Sequence, residues 1–239
     1  MKSQIIRISE REAFPLAEKR FVETCRFDLN KEKHQRMMRM GLKVRDDGID
    51  GIDIRALVSF YDADVLQDGA IKIGGKDISC NFFELIPEDR VRGVYLYMIT
   101  AGECHFSSED NIMDFLYADI WGTNYVDSGT DILIRRLNED MKQRFGRDCS
   151  YTLSSEFGPG YFGMPVIQSK AFYELLKGEE IGVTIKESGL LIPQKSCTGL
   201  FFVLDDYELD IEPECVSCLG SSSGCSFCSV RTKLERNRL

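Results

Sequence analysis

Four cysteines near one end of the chain are the residues whose spacing most directly specifies chemistry. Cys215-x2-Cys218 and Cys225-x2-Cys228 are two C-x-x-C pairs joined by the flexible run Leu-Gly-Ser-Ser-Ser-Gly. Such a loop folds four thiolates onto one centre, and by count they suit tetrahedral zinc or an iron–sulfur cluster equally. A zinc ribbon usually spaces its pairs more widely. The short gap fits a ribbon less well, which leaves a [4Fe–4S] cluster, zinc as a structural clip, and two reduced or disulfide-linked pairs as the readings; a redox role would favour the cluster. The other five cysteines, Cys25, Cys80, Cys104, Cys149 and Cys197, are scattered and are expected to be small buried hydrophobes. With only His34 and His105 in the chain, a histidine metal site or a histidine-based triad is not expected.

The second candidate is the loop opened by Glu156, where Gly158, Pro159, Gly160, Tyr161, Gly163 and Pro165 follow in close order. Glycine allows positive φ and close ligand approach, and proline stiffens the turn. A bare backbone cradle carrying one aromatic side chain suits a flat or polar small molecule. An ordinary turn before a helix is the plainer reading of the same residues.

The elements that must position these residues follow from periodicity. Glu10 to Cys25 reads as an amphipathic helix, and Asn30 is placed to cap a second one carrying Met37, Met38 and Met40. Asp46 to Asp53 resembles a calcium loop but lacks the twelfth-position glutamate, so it reads as an acidic turn. Ile54 to Tyr61 fits a strand or a helix. Ile71 and Ile73 alternate with lysines before the Gly74-Gly75 turn, and Val91 to Ala101 is a buried strand. A long apolar stripe from Ile112 to Phe145 predicts a helix starting at Ser107-Ser108, broken near Gly122 or Gly129, and closed by Gly146. Ser169 to Lys177 predicts a short helix, and Ile181–Lys186 and Lys195–Leu204 read as antiparallel strands. The last of these is apolar on both faces, so it is expected in the middle of a sheet.

Composition narrows the function. The formal net charge is −9, which argues against nucleic acid as a partner. No apolar run approaches the roughly 20 residues of a membrane helix, and the first residues lack the apolar core of a signal peptide. These features point to a cytoplasmic protein with no membrane association.

Several motifs together resemble a known family. They are Gly75-Lys76-Asp77-Ile78, Thr100-Ala101-Gly102, the helix containing Gly122 and Gly129, Gly158-Pro159-Gly160-Tyr161 with Pro165, and Glu187-Ser188 after Ile181-Gly182-Val183. Ile192-Pro193-x-Lys195-Ser196 followed by Gly199-Leu200-Phe201-Phe202 completes the set. The pattern, over roughly residues 65 to 207, resembles the activation domain of cobalamin-dependent methionine synthase. It resembles still more the stand-alone activation proteins of corrinoid methyltransferase systems. The resemblance implies an α+β fold, an antiparallel sheet with flanking helices, followed by a Cys-rich C-terminal tail. It divides the chain into an N-terminal helical segment (1–64) packed on the main domain, a core (65–210), and the cysteine motif with its basic tail (211–239).

The resemblance also implies a function. The activation domain holds S-adenosylmethionine above a corrin carried by a partner, and methyl transfer to Co(I) pulls the uphill reduction of Co(II) forward. Glu156, Gly158, Pro159, Gly160 and Tyr161 would line the ligand site, with Glu187, Ser188 and Tyr207 contributing and Tyr161 facing the corrin. The partner would be a corrinoid-binding protein or methionine synthase, with reduced flavodoxin or ferredoxin as electron donor. The cysteine cluster would relay electrons. One residue departs from the pattern: Glu156 stands where the family has an arginine that pairs with the ligand carboxylate, and Lys170 and Lys195 are candidate replacement cations. A non-catalytic corrinoid-capping module with a structural zinc, and an electron-transfer module, are the competing readings.

Overall fold

The structure is a computed structural model that describes residues 3–80, 82–103, 111–147 and 149–206. In chain order the elements are β1 (Gln4–Ile8), α1 (Glu10–Thr24), α2 (Glu32–Gly48), β2 (Ile54–Asp62), β3 (Leu66–Gln67), β4 (Ala70–Ile73), β5 (Lys76–Ser79) and β6 (Val91–Thr100). They continue with α3 (Ile112–Phe145), β7 (Tyr151–Leu153), α4 (Ser169–Leu176), β8 (Thr184–Ile185), β9 (Leu191–Ile192) and β10 (Ser196–Asp205). Five strands form one antiparallel sheet in the order β1-β2-β6-β10-β7. Strands β3, β4 and β5 make a small separate sheet, and β8 and β9 a short hairpin.

Alternation along the strands divides the core in two. On one face Ala56, Val58 and Phe60 of β2, Tyr95, Tyr97 and Ile99 of β6, and Phe201 and Val203 of β10 pack under α1, α2 and α3. There Phe21 stacks on Trp121 with ring centroids 4.1 Å apart. The Trp121 indole N–H donates to the Gly41 carbonyl at 2.8 Å, tying α2 to α3. The Tyr125 hydroxyl, Arg45 and Glu10 join all three helices. The opposite face presents Leu96, Met98, Leu200, Phe202 and Leu204, all buried together with Phe83, Phe157, Phe172, Leu176 and Ile181. Rings of Phe83, Phe157 and Phe202 meet edge-on there.

Three expectations change. The first 64 residues are not a helical segment laid on a core that begins at 65. They supply β1 and β2, two strands of the main sheet, in register Gln4↔Val58 through Ile8↔Ile54. Helix α3 is capped by Asn111, whose side chain accepts from the Met113 N–H at 2.9 Å; Ser107 and Ser108 lie outside the described residues. The helix also runs unbroken through Gly122 and Gly129. Gly129 is there for contact, since a Cβ would come within 2.8 Å of Ile54 Cγ2 and 3.0 Å of Ile99 Cδ1. A bare position lets the helix lie close on the sheet. In addition, β8 pairs with β9, whereas β10 pairs with β6 and β7.

That close approach gives a stability prediction. Gly129→Val should overpack the helix–sheet contact and lower stability by about 1–3 kcal/mol. The change is read as a lower urea midpoint at an unchanged denaturant slope.

Candidate functional site

The glycine loop is launched from the sheet. After β7, the chain continues along the free side of β10. The Ser154 N–H donates to the Phe202 carbonyl and the Phe202 N–H to the Ser154 hydroxyl, each at 2.9 Å. Phe157 and Leu200 exchange backbone hydrogen bonds of 3.0 and 2.7 Å. The chain then leaves the sheet and turns on itself. The Tyr161 N–H donates to the Gly158 carbonyl (2.9 Å), the Met164 N–H to the Tyr161 carbonyl (2.9 Å), and the Gly160 N–H to the Met164 carbonyl (2.8 Å). Gly160 sits at φ +92°, a conformation that favours glycine.

Neighbouring elements hold this turn from outside. The Cys80 thiol donates to the Phe162 carbonyl at 2.8 Å, and the Phe162 ring packs on Phe82 and Phe157 at 5.2 Å each. The Gln168 side chain bonds both the N–H and the carbonyl of Ser79 at 3.0 Å, which ties the loop's exit to β5. Within this fixed frame the Tyr161 side chain is 65% exposed. Gly189 in the β8–β9 turn lies against the Val166 carbonyl and Ile167. Exposed Val166, Ile167 and Leu190 therefore gather beside the loop.

Gly158, Pro159, Gly160 and Tyr161 thus form one turn, with Glu156 just ahead of it. Glu187 and Ser188 are exposed in the β8–β9 turn rather than on a strand of the main sheet. Tyr207, Cys215, Cys218, Cys225 and Cys228 lie outside the described residues. Among the described residues, no group of three or more histidine, cysteine or acidic side chains is arranged to hold a metal ion. Lys195 is tied to α3, its ammonium 2.6 Å from Asp119 Oδ1 and 2.9 Å from the Thr123 hydroxyl. Lys170 sits in the first turn of α4.

Sequence patterns did not show what holds Glu156. Its carboxylate accepts a hydrogen bond from the hydroxyl of Tyr97, a fully buried side chain on β6. Tyr97 reaches across β10 at Gly199, where a Cβ would lie 2.5 Å from the Phe157 carbonyl oxygen and 3.0 Å from the Tyr97 ring. The ring stacks on Phe201 at 5.4 Å, and Cys197 Sγ is 3.9 Å from the Thr130 hydroxyl. Burial pushes the Tyr97 hydroxyl well up from its ordinary value, and the negative charge of Glu156 adds to the shift. The same two causes, in the same order, raise the Cys197 thiol. The only sequence signal was the pairing of an apolar-faced β10 with a glycine in its middle.

No family model matches the chain, and no curated protein matches it either. Among solved structures, the MetH reactivation domain bound to AdoHcy matches with a TM-score of 0.63, over 87% of this chain and 80% of that one, at 13% sequence identity. The chain has the fold of the MetH reactivation domain. The expected α+β class, an antiparallel sheet with flanking helices, is the architecture adopted. Within this reactivation-domain fold, no helix among the described residues is long and apolar enough to cross a membrane.

The buried hydroxyl and thiol make stability fall in alkali. Ordinary values are 9.0 for Cys197 and 10.0 for Tyr97, and both are raised in the folded chain. The unfolded chain releases these protons first, so their stabilisation is complete below about pH 9 and is lost as pH climbs toward the folded values. Urea midpoints measured from pH 7 upward should be flat and then drop. Cys197→Ser and Tyr97→Phe should each flatten that drop, and Tyr97→Phe should also cost about 1–3 kcal/mol at pH 7 by leaving Glu156 without this donor.

Proposed function

We propose that this protein reactivates a corrinoid protein, holding S-adenosylmethionine on the Gly158–Tyr161 turn so that the partner's reduced cobalt is trapped by methylation. The observation that carries the reading is an exposed aromatic ring on a turn otherwise fixed by backbone hydrogen bonds. It occurs in a fold of which one solved example is bound to AdoHcy, the demethylated form of that methyl donor. Tyr161 and the exposed Val166, Ile167 and Leu190 offer a flat apolar surface to a corrin and its carrier.

In the proposed step the electron pair of Co(I) attacks the sulfonium methyl. The cobalt–carbon bond forms as the carbon–sulfur bond breaks, and S-adenosylhomocysteine leaves as a neutral thioether. Methyl transfer consumes Co(I) and so draws the unfavourable reduction of Co(II) forward. The turn's part is to fix the donor relative to the partner's corrin, which lowers the entropic cost of the transfer. Glu187, Ser188 and Tyr207 are assigned to the rim of the same site. Cys215, Cys218, Cys225 and Cys228 are a donor set suited to a [4Fe–4S] cluster, which would supply electrons from reduced flavodoxin or ferredoxin; zinc in the same ligands would serve as a clip. The Glu156 carboxylate favours a second reading, a corrinoid-capping or electron-transfer module that binds no S-adenosylmethionine.

Anaerobic calorimetric titration with S-adenosylmethionine separates the two. Saturable binding is expected, with Tyr161→Ala weakening it at least about tenfold. Absence of binding at millimolar ligand would sink the methyl-donor reading. Elemental analysis of the anaerobically purified protein should find iron with an equal amount of acid-labile sulfide; stoichiometric zinc would assign the cysteines a structural role.

A further inference from the structure

We infer that Gln168 is a positioning residue of the proposed site. By pairing with the backbone of Ser79 it clamps the exit of the glycine turn to β5, and so keeps the Gly158–Tyr161 backbone in the shape that receives a ligand. This rests on the reading of that turn as the S-adenosylmethionine site and deepens it by naming what preorganises it.

The turn holds a backbone conformation that its sequence does not favour throughout. Gly160 and Gly163 lie at φ +92° and +74°, which is ordinary for glycine. Phe162 between them lies at φ +51°, which is unfavourable for a bulky side chain. Such a residue keeps its place only where its surroundings outweigh the strain. Here the Phe162 ring packs on Phe82 and Phe157, with centroids 5.2 Å away in each case, and its carbonyl accepts from the Cys80 thiol.

The stretch that follows, 166–168, is gripped from two sides. Gly189 lets the β8–β9 turn close on it, because a Cβ there would lie 2.5 Å from the Val166 carbonyl oxygen. On the other side the Gln168 amide oxygen accepts from the Ser79 N–H at 3.0 Å. Its nitrogen donates to the Ser79 carbonyl at 3.0 Å and to the Ser79 hydroxyl at 3.2 Å. A two-way bond of this kind copies the exchange between paired residues of neighbouring strands, and it fixes direction as well as distance. Ser79 and Cys80 are consecutive, so one corner at the end of β5 holds both the strained residue of the turn and the turn's exit. The direction of Tyr161 follows from the backbone between Gly158 and Met164 that this corner holds. A loop ordered before its ligand arrives loses little further freedom on binding. Releasing the clamp lets the strained segment relax, so affinity falls although no contact to the ligand is removed.

The test compares the wild type with Gln168→Met and Gln168→Glu, by calorimetry with S-adenosylmethionine and by amide exchange of the ligand-free chain. Methionine matches glutamine in length and makes neither bond. Glutamate keeps an acceptor for the Ser79 N–H and loses the donor. Affinity should fall about tenfold in Gln168→Met, with Gln168→Glu in between. Residues 157–164 should exchange faster in ligand-free Gln168→Met, while β6 and β10 stay unchanged. Gly129→Val, altered where α3 meets the other face of the sheet, should bind as the wild type does, which separates positioning from a general loss of stability. Equal affinity in the wild type and Gln168→Met, unchanged exchange across 157–164, or an equal loss of affinity in Gly129→Val would overturn the inference and leave the methyl-donor reading standing. Absence of wild-type binding at millimolar ligand would remove that reading, and the inference with it.

Discussion

Strand β10 must be covered on both faces and both edges, and the rest of the molecule is arranged to do so. Phe201 and Val203 face the helices, while Leu200, Phe202 and Leu204 face α4 and the aromatic cluster of Phe83 and Phe157. Such a strand is stable only between partners, because its backbone groups are shut away from water. Strand β6 satisfies one edge from Ser196 to Leu204. The segment from Tyr151 to Phe157 satisfies much of the other, and it delivers the chain into the glycine turn. The turn's position is therefore a consequence of how β10 is hydrogen-bonded, and Tyr161 can be exposed because the backbone beneath it needs nothing from solvent.

Gly199 links this packing to the site's electrostatics. Without a side chain at that point, the Tyr97 ring passes over β10 and its hydroxyl meets Glu156 on the far edge. A larger residue would close the gap against the Phe157 carbonyl and the tyrosine ring alike. The outcome is a carboxylate held by a buried tyrosine just ahead of the turn in the chain, near a thiol and a hydroxyl that burial keeps protonated.

Local periodicity made much of the architecture legible. The two apolar faces of β10, the Gly74-Gly75 hairpin and the α3 stripe are patterns of neighbouring residues, and each was readable without knowing the fold. The turn itself was legible from Gly158, Pro159, Gly160 and Tyr161. Pairing at long range was not. Strands β1 and β2 join the sheet through partners that no local pattern names, so the first residues read as a helical appendage. A glycine within a helix looks the same whether it breaks the helix or lets it touch a sheet, which is why Gly129 misled. Tyr97 and Glu156 are 59 residues apart in sequence, and only the register of β6 on β10 brings them together.

The central claim is that an adenosyl sulfonium binds on the Gly158–Tyr161 turn. Amide hydrogen exchange, read by mass spectrometry with and without saturating S-adenosylmethionine, locates the contact directly. The account predicts slowed exchange in residues 157–164, smaller changes in the adjoining β8–β9 turn, and none in α1 or α2. Unchanged exchange across 157–164 at saturation, or protection confined to the helical face, would contradict it.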